Sequence, residues 1–236
     1  MPTISGMRRR GYTPEALREF CRRIGVAKAN SLVEIAQLES CIREDLQEKV
    51  ESRNVILEPL KVTITNYPED MTEECEIENN KNVPDMGIRK IPFSRNLYVE
   101  HEDFMEIPVK KYFRLFPGNE VRFKGAYFIT CNEVVKDEEG NITELLCTYD
   151  PATRSGSGQE VRKVKGTIHW LDANTARPIT VREFDYLKKD NGGGEEVLNP
   201  DSIKVYSAFA EPSIEASEPG MRYQFFRHRY YIEDTH

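Results

Sequence analysis

A basic, aromatic stretch runs from Lys110 to Tyr127 in an otherwise acidic chain of 236 residues and net charge −7. Five cations stand there against a single acid, Glu120. Cations neutralise phosphates, and aromatic rings stack on unpaired bases. The residues concerned are Lys110, Lys111, Arg114, Arg122, Lys124, Tyr112, Phe113, Phe116, Phe123 and Tyr127. This composition favours single-stranded RNA as a ligand, and the alternative is an amphipathic strand whose charges are merely solvated.

The second half of this stretch alternates between apolar and charged residues. Alternation places Val121 and Phe123 on one face of a strand, with Arg122 and Lys124 on the other. We therefore predict a strand over residues 121–130 from which both cations project together.

Side chains that could carry out catalysis form no recognisable constellation. The four histidines are scattered, and the five cysteines include no Cys-x-x-Cys pair. No histidine lies at a spacing that suggests a nucleophile and its base. We expect reduced thiols, no metal site and no catalytic residue, with His169 packed or hydrogen-bonded in a strand.

The hydropathy of the chain indicates a soluble protein. No apolar run approaches the roughly 20 residues of a membrane span. The N-terminal residues lack the apolar core of a signal peptide. We expect a cytoplasmic protein without a membrane partner.

Two helices are predicted near the N-terminus. Thr13 and Pro14 are typical of a helix start, and Gly25 of a helix end. Residues 31–34 form a capping box that would open the second helix. A basic surface toward a phosphate backbone would include Arg8, Arg9, Arg10, Arg22 and Arg23. A solvated helix face is the alternative.

β structure begins after Ser52, because residues 55–66 are rich in branched side chains and alternate from Leu60 onward. No helix-length periodicity appears after residue 50. Short strands without helices to cover a parallel sheet predict antiparallel barrels, and about 180 residues exceed what one small barrel requires. We expect a mainly β fold with two barrels behind an N-terminal α-helical segment.

Several strings spread over essentially the whole chain resemble the C-terminal region of the glutaminyl-tRNA synthetase family. They include Pro2-Thr-Ile-Ser-Gly-Met-Arg-Arg-Arg-Gly-Tyr12, Leu38-Glu-Ser-Cys-Ile-Arg-Glu-Asp-Leu46, Cys147-Thr-Tyr-Asp150, Lys163-Val-Lys-Gly-Thr-Ile-His-Trp170 and Tyr223-Gln-Phe-Phe-Arg227. The resemblance implies a helical segment at 1–52 and two antiparallel, six-stranded-type barrels of the ribosomal protein L25-like kind. The distal barrel, at 108–188, would be inserted into a proximal barrel formed by 53–107 plus 189–236.

The resemblance also implies which residues hold the three splayed anticodon bases. By position these are Gln47, Asn82, Lys111, Arg114, Arg122, Lys124, Gln224 and Arg227. Guanidinium and amide groups suit this role because they read base edges by paired hydrogen bonds. The family's arginine before the first proximal strand corresponds to Arg53, one place late, with Ser52 in register. Phe226 replaces the family's Glu.

The family's two nucleotide-binding signatures are missing from these residues. The resemblance therefore implies an inactive, monomeric fragment whose partners are glutamine tRNA and a catalytic domain acting in cis. ATP and Mg²⁺ would serve only the full-length enzyme, and the fragment itself would hold no cofactor.

Three other functions stay open on the sequence. The same module occurs in glutamyl-tRNA synthetases of the archaeal and eukaryotic type, although Tyr223-Gln-Phe-Phe-Arg227 favours the glutamine enzyme. A ribosomal L25-like protein binds 5S RNA with a single barrel, which two barrels and a helical leader disfavour. A protein-interaction module is the third.

Overall fold

Three helices occupy the N-terminal segment of the computed structural model, which describes residues 3–26, 28, 32–158, 162–190, 192 and 195–234. They are α1 (Ile4–Arg9), α2 (Pro14–Ile24) and α3 (Ile35–Gln47). The predicted ends of α2 are confirmed: the Thr13 hydroxyl accepts a hydrogen bond from the Ala16 N–H at 3.2 Å, and Gly25 follows the helix with φ +63°. Helix α1 was not predicted.

Helix α3 begins later than its predicted capping box. Glu34 is its N-cap and makes no side-chain capping bond, while Ser31 lies outside the described residues. Helix α2 packs against α3 through Ala16, and the Thr13 hydroxyl donates to Asp45 at 2.6 Å. The apolar stripe of α2 is only partly covered, since Ile24 at its end remains 40% exposed.

After α3 the described residues form short strands joined by loops, turns and single 3₁₀ turns. The strands are β1 (Glu51–Arg53), β2 (Val55–Ile56), β3 (Pro59–Ile64), β4 (Glu73–Glu78), β5 (Ile88–Phe93), β6 (Asn96–Glu100), β7 (Glu120–Phe123), β8 (Phe128–Lys136), β9 (Ile142–Asp150), β10 (Thr167–Ile168), β11 (Leu171–Asp172), β12 (Arg177–Phe184), β13 (Lys188–Asp190), β14 (Glu196–Leu198), β15 (Ile203–Ala210), β16 (Arg222–Phe225) and β17 (Tyr230–Ile232). This order confirms a mainly β fold behind an N-terminal helical segment.

The chain divides into two compact units. Unit 1 comprises Met1–Asn54, Glu76–Lys90 and Ser213–His236, and unit 2 comprises Val55–Cys75 and Ile91–Pro212. In unit 1, β16 pairs in parallel with β1 and antiparallel with β17.

Unit 2 contains a curled, half-barrel sheet in the order β10-β7-β8-β9-β3-β6-β11. Its pairing departs from the antiparallel prediction, because β3 pairs with β9, and β7 with β10, in parallel. A smaller sheet, β12-β15-β2, belongs to the same unit.

An aromatic cluster fills part of the core of unit 2. Rings of Tyr67, Phe93, Tyr127, Tyr149 and Trp170 pack edge-to-face or tilted with centroids 5.0 to 5.5 Å apart. The hydroxyls of Tyr67 and Tyr127 both donate to Glu73 at 2.8 Å. Burial is the main cause that raises the pKa of both tyrosines.

His169 lies in the interior of the same unit and is fully buried, with Nε2 2.9 Å from the carbonyl oxygen of Val55. This confirms that it is packed and hydrogen-bonded, but the predicted strand is wrong at this residue, because His169 lies between β10, which ends at Ile168, and β11, which begins at Leu171. No helix in the described part of the chain is long and apolar enough to cross a bilayer.

Candidate functional site

The predicted strand over residues 121–130 is wrong in one respect, because a tight turn interrupts it. Strand β7 ends at Phe123, where the carbonyl accepts from the Ala126 N–H at 2.9 Å, and Gly125 has φ +71°. Val121 and Phe123 are buried and Arg122 is half-buried, as the alternation predicted. Lys124 lies in the turn instead of projecting from the strand.

Arg122 is held by two contacts within unit 2. Its Nη1 donates to the Ser155 hydroxyl at 2.9 Å, and its guanidinium carbon lies 4.3 Å from the centre of the Phe128 ring. Burial lowers the pKa of Arg122, but arginine stays charged in proteins. The side chain is therefore an oriented cation.

Arg114 is oriented in a similar way. Its Nη1 donates to the carbonyl and carboxylate of Glu102 at 3.0 and 2.9 Å, and lies 3.3 Å from the buried carboxylate of Asp103. Both Arg114 and Arg122 use only Nη1 for hydrogen bonds to described residues, so Nε and Nη2 are left for another acceptor. Such an edge can make paired hydrogen bonds to a base.

The rings predicted to stack on bases fall into two sets. Phe123 and Tyr127 are buried in the core, which removes them as stacking faces because their own sheet already covers them. Phe113 is 46% exposed, with the Lys165 ammonium 5.2 Å from its ring centre, and Tyr112 and Phe116 are half-buried. Only these three remain candidates for stacking.

The C-terminal candidates lie in unit 1. Gln224 is in β16 and pairs with Ser52 of β1 and Tyr230 of β17. Arg227 is exposed in the turn after β16, where the His228 N–H donates to the Phe225 carbonyl at 2.8 Å.

Two candidate cations have an unusual backbone conformation. Lys111 (φ +71°) and Arg227 (φ +68°) are the only non-glycine residues with positive φ in the part of the chain that the structure describes. Each is the third residue of a four-residue turn, which is closed by a hydrogen bond from the N–H of the fourth residue to the carbonyl of the first. In similar turns of this chain the third residue is a glycine with positive φ: Gly118, Gly125 and Gly220. This conformation costs a non-glycine residue about 1–2 kcal/mol.

Arg53 is buried within unit 1. Its guanidinium pairs with Glu51 and lies 5.0 Å from the centre of the Tyr223 ring. Of the family positions, this one presents the least surface to a ligand.

Asn80 connects the two remaining candidates, although the sequence did not single it out. Its amide donates to the carbonyls of Gln47 and Val50 at 3.0 and 2.8 Å, and its oxygen accepts from the Asn82 N–H at 2.8 Å. Asn80 is buried, whereas Gln47 and Asn82 are exposed. One amide therefore fixes the end of α3 relative to the loop that carries Asn82.

The predicted phosphate-binding cations are partly neutralised by their own carboxylates. Arg9 makes two hydrogen bonds to Asp234, at 3.2 and 2.9 Å. Arg22 and Arg23 share Glu19 and lower its pKa to about 2. Arg10 lies 5.7 Å from the centre of the Tyr12 ring. No ion pair joins Arg8 to any described residue.

Comparison with known proteins gives matches along most of the chain. The family described as "tRNA synthetases class I (E and Q), anti-codon binding domain" matches residues 53–150, and a second family of the same description matches residues 167–234.

The similar curated proteins reported below are all named glutamine-tRNA ligase. The glutamine-tRNA ligases of Clostridium perfringens, Clostridium kluyveri and Bradyrhizobium diazoefficiens are 54%, 51% and 50% identical to this chain, each over 99% of its length. The matched region is 44%, 43% and 43% of those ligases, so the chain spans less than half of their length.

Proposed function

Because the chain belongs to the anticodon-binding domains of the class I tRNA synthetases for glutamate and glutamine, we propose that it binds the anticodon loop of glutamine tRNA. It would serve a ligase whose ATP- and Mg²⁺-dependent aminoacylation takes place outside residues 1–236, and no residue of this chain is assigned to ATP or Mg²⁺. The names of the similar ligases favour glutamine over glutamate.

The observation that carries this proposal is the conformation of Lys111 and Arg227. Both long cations keep a strained turn position that glycine fills in similar turns of the same chain. Strained residues of this kind cluster at functional sites. Both residues are at positions that the family resemblance assigns to the anticodon.

We assign base reading to Arg114, Arg122, Gln224 and Arg227, with Lys111 and Lys124 adding charge beside the bases. The free Nε and Nη2 edges of Arg114 and Arg122 support this assignment, since a base edge is read by paired donors. Gln47 and Asn82 would be further contacts, supported by their exposure and by their shared anchor, Asn80. Arg53 would act from within unit 1, next to Gln224.

The domain organisation forms part of the same proposal. A distal barrel at 108–188, inserted into a proximal barrel at 53–107 plus 189–236, would allow a single anticodon loop to contact residues that are far apart in sequence. The chain would work as a monomer in the cytoplasm, together with the catalytic part of its enzyme in cis. A 5S-RNA-binding or protein-interaction role is not favoured by the family match.

The proposal is tested by the affinity of the chain for RNA stem-loops that share one stem and differ only in the anticodon. A glutamine-type anticodon (C or U, then U, then G) should bind tightest at fixed salt concentration. Equal dissociation constants across the set would reduce the chain to a generic RNA-binding surface.

Arg8 is the candidate cation that we expect to contact the phosphate backbone. Arg8→Ala should weaken binding to all stem-loops alike and reduce the slope of log affinity against log salt by about 0.7 to 0.9, because one phosphate contact is lost. We propose Arg8 first because Arg9, Arg22 and Arg23 are already paired with carboxylates. Arg182→Ala is the control, and an unchanged slope for Arg8→Ala would identify a solvated face.

A further inference from the structure

Gly166 contacts two of the segments that carry candidate cations. It precedes β10, which pairs in parallel with β7, and its carbonyl oxygen accepts the N–H of Arg122 at 2.8 Å. Two residues further on, the Ile168 carbonyl accepts the N–H of Lys124 at 2.9 Å. Residues 166–168 therefore support the backbone of both cations.

The other face of Gly166 lies against the loop that carries Lys111 and Arg114. The carbonyl oxygen of Phe113 is 1.9 Å from the place where a Cβ atom on Gly166 would stand. Only a hydrogen atom fits there, which makes this a close backbone approach with the character of a Cα–H···O contact. Gly166 has no positive φ, so the requirement is for space alone.

The opposite side of this loop is fixed. Leu115 is fully buried, and its N–H donates to the Asp103 carbonyl at 2.9 Å, while the Met105 N–H donates to the Leu115 carbonyl at 3.1 Å. Arg114 is tied to Glu102. With a Cβ atom at residue 166, the distance between that atom and the Phe113 oxygen would have to increase by about 1 Å, because Cβ contacts under 3.0 Å are essentially never seen. The loop would then tilt about its fixed side.

We propose that Gly166 is a positioning residue that sets the distance between the loop carrying Lys111 and Arg114 and the strand carrying Arg122. This inference rests on the proposed function, because it assumes that those cations read the anticodon together. Gly166 itself is buried, so we expect it to act on the cations and not to contact RNA. A displacement of about 1 Å is enough to spoil a preorganised set of contacts.

The test is Gly166→Ala, measured as the affinity for a glutamine-type stem-loop, the affinity for a stem-loop with an unrelated anticodon, and the thermal midpoint. Cognate affinity should fall about tenfold or more, while binding to the unrelated loop, which depends on phosphates, changes much less. Val62→Ala is the control, because Val62 is fully buried in β3 of the same sheet and its loss lowers stability without touching the loop. An unchanged ratio of affinities in Gly166→Ala would overturn the inference.

A double substitution gives a readout that a purely structural role would not change. If Gly166 acts through the loop, adding Gly166→Ala to Lys111→Ala/Arg114→Ala should reduce cognate affinity by less than about twofold. If Gly166→Ala lowers cognate affinity in this background by as much as it does in the original chain, the inference is contradicted. If instead Arg114→Ala alone leaves the ratio of affinities unchanged, the proposed function itself fails.

Asn119→Ala covers the case in which Gly166→Ala does not fold. The Asn119 amide donates to the Arg114 carbonyl at 2.7 Å, so its removal loosens the same loop without a clash. Asn119→Ala should also lower the ratio of the affinity for the glutamine-type stem-loop to the affinity for the unrelated one. Failure of Gly166→Ala to fold would assign Gly166 to the fold and count against the inference, as would an Asn119→Ala variant with the ratio of the original chain.

Discussion

Arg114→Ala, Gln224→Ala and Arg227→Ala should each lower the affinity for a glutamine-type anticodon stem-loop by about tenfold to a hundredfold. Paired contacts to base edges in DNA are worth about 1 to 3 kcal/mol, and we expect a similar magnitude here. Gln224 and Arg227 belong to unit 1 and Arg114 belongs to unit 2, so the three substitutions test each unit separately. Binding to a stem-loop with an unrelated anticodon should change much less, because it depends mainly on phosphates.

Arg182→Ala is the matched control for these three substitutions. Arg182 is an exposed arginine of β12 to which we assign no role in anticodon binding. Its removal changes the net charge by the same amount as the loss of Arg114 or Arg227. The ratio of cognate to unrelated affinity should be preserved in this variant. If all four variants lower both affinities by one factor, the cations form a general basic surface and the base-reading assignment is wrong.

Lys111→Gly and Arg227→Gly should make the chain more stable than Lys111→Ala and Arg227→Ala, by about 1 kcal/mol in the free energy of unfolding. Glycine adopts positive φ without strain, whereas alanine retains the clash between Cβ and the backbone. Cognate RNA affinity should nevertheless fall about tenfold in both the glycine and the alanine variants, because each removes the cation. Chemical denaturation and stem-loop titration of the same preparations measure the two effects.

Arg229 supplies the control for the backbone effect. It lies two residues beyond Arg227, is exposed and does not have positive φ. Arg229→Gly should therefore be no more stable than Arg229→Ala, which is the opposite order to that expected at residue 227. Glycine variants at 111 and 227 that are no more stable than the alanine variants would show that the turns carry no strain.

Local chemistry made the ends of α2 predictable from the sequence. Thr13, Pro14 and Gly25 act within a few residues of the helix, so their effect does not depend on the rest of the fold. Ser31 to Glu34 has the same kind of signal, yet α3 begins at Ile35. The packing of α3 through Leu38, Cys41 and Leu46 therefore matters more for this helix than its capping sequence.

The alternation of Val121, Arg122 and Phe123 correctly gave the buried and half-buried faces of β7. The break that follows could have been found, because Gly125 is a turn signal inside the run. The burial of Tyr127 could not, since its core position depends on Glu73 and on rings distant in sequence. The parallel pairing of β3 with β9 could not be predicted either. These strands lie about 80 residues apart, and the pairing of strands so distant in the chain leaves no local pattern in the sequence.

The candidate site was predictable in composition but not in geometry. Family resemblance supplied the residue positions, and the types of side chain agreed with RNA binding. The turn conformation of Lys111 and Arg227 is invisible in the sequence, because neither residue is a glycine or an asparagine. The space requirement at Gly166 arises from a carbonyl more than 50 residues earlier, at Phe113.

If this chain reads the anticodon of glutamine tRNA, its affinity should respond to a change of one anticodon base. Two stem-loops with the anticodons UUG and UUC differ only in the base that separates glutamine from glutamate. At one fixed salt concentration, the unsubstituted chain should bind the UUG loop at least about fivefold more tightly than the UUC loop, since a mismatched base edge is expected to cost about 1 to 3 kcal/mol. Equal dissociation constants, or tighter binding of the UUC loop, would contradict the claim.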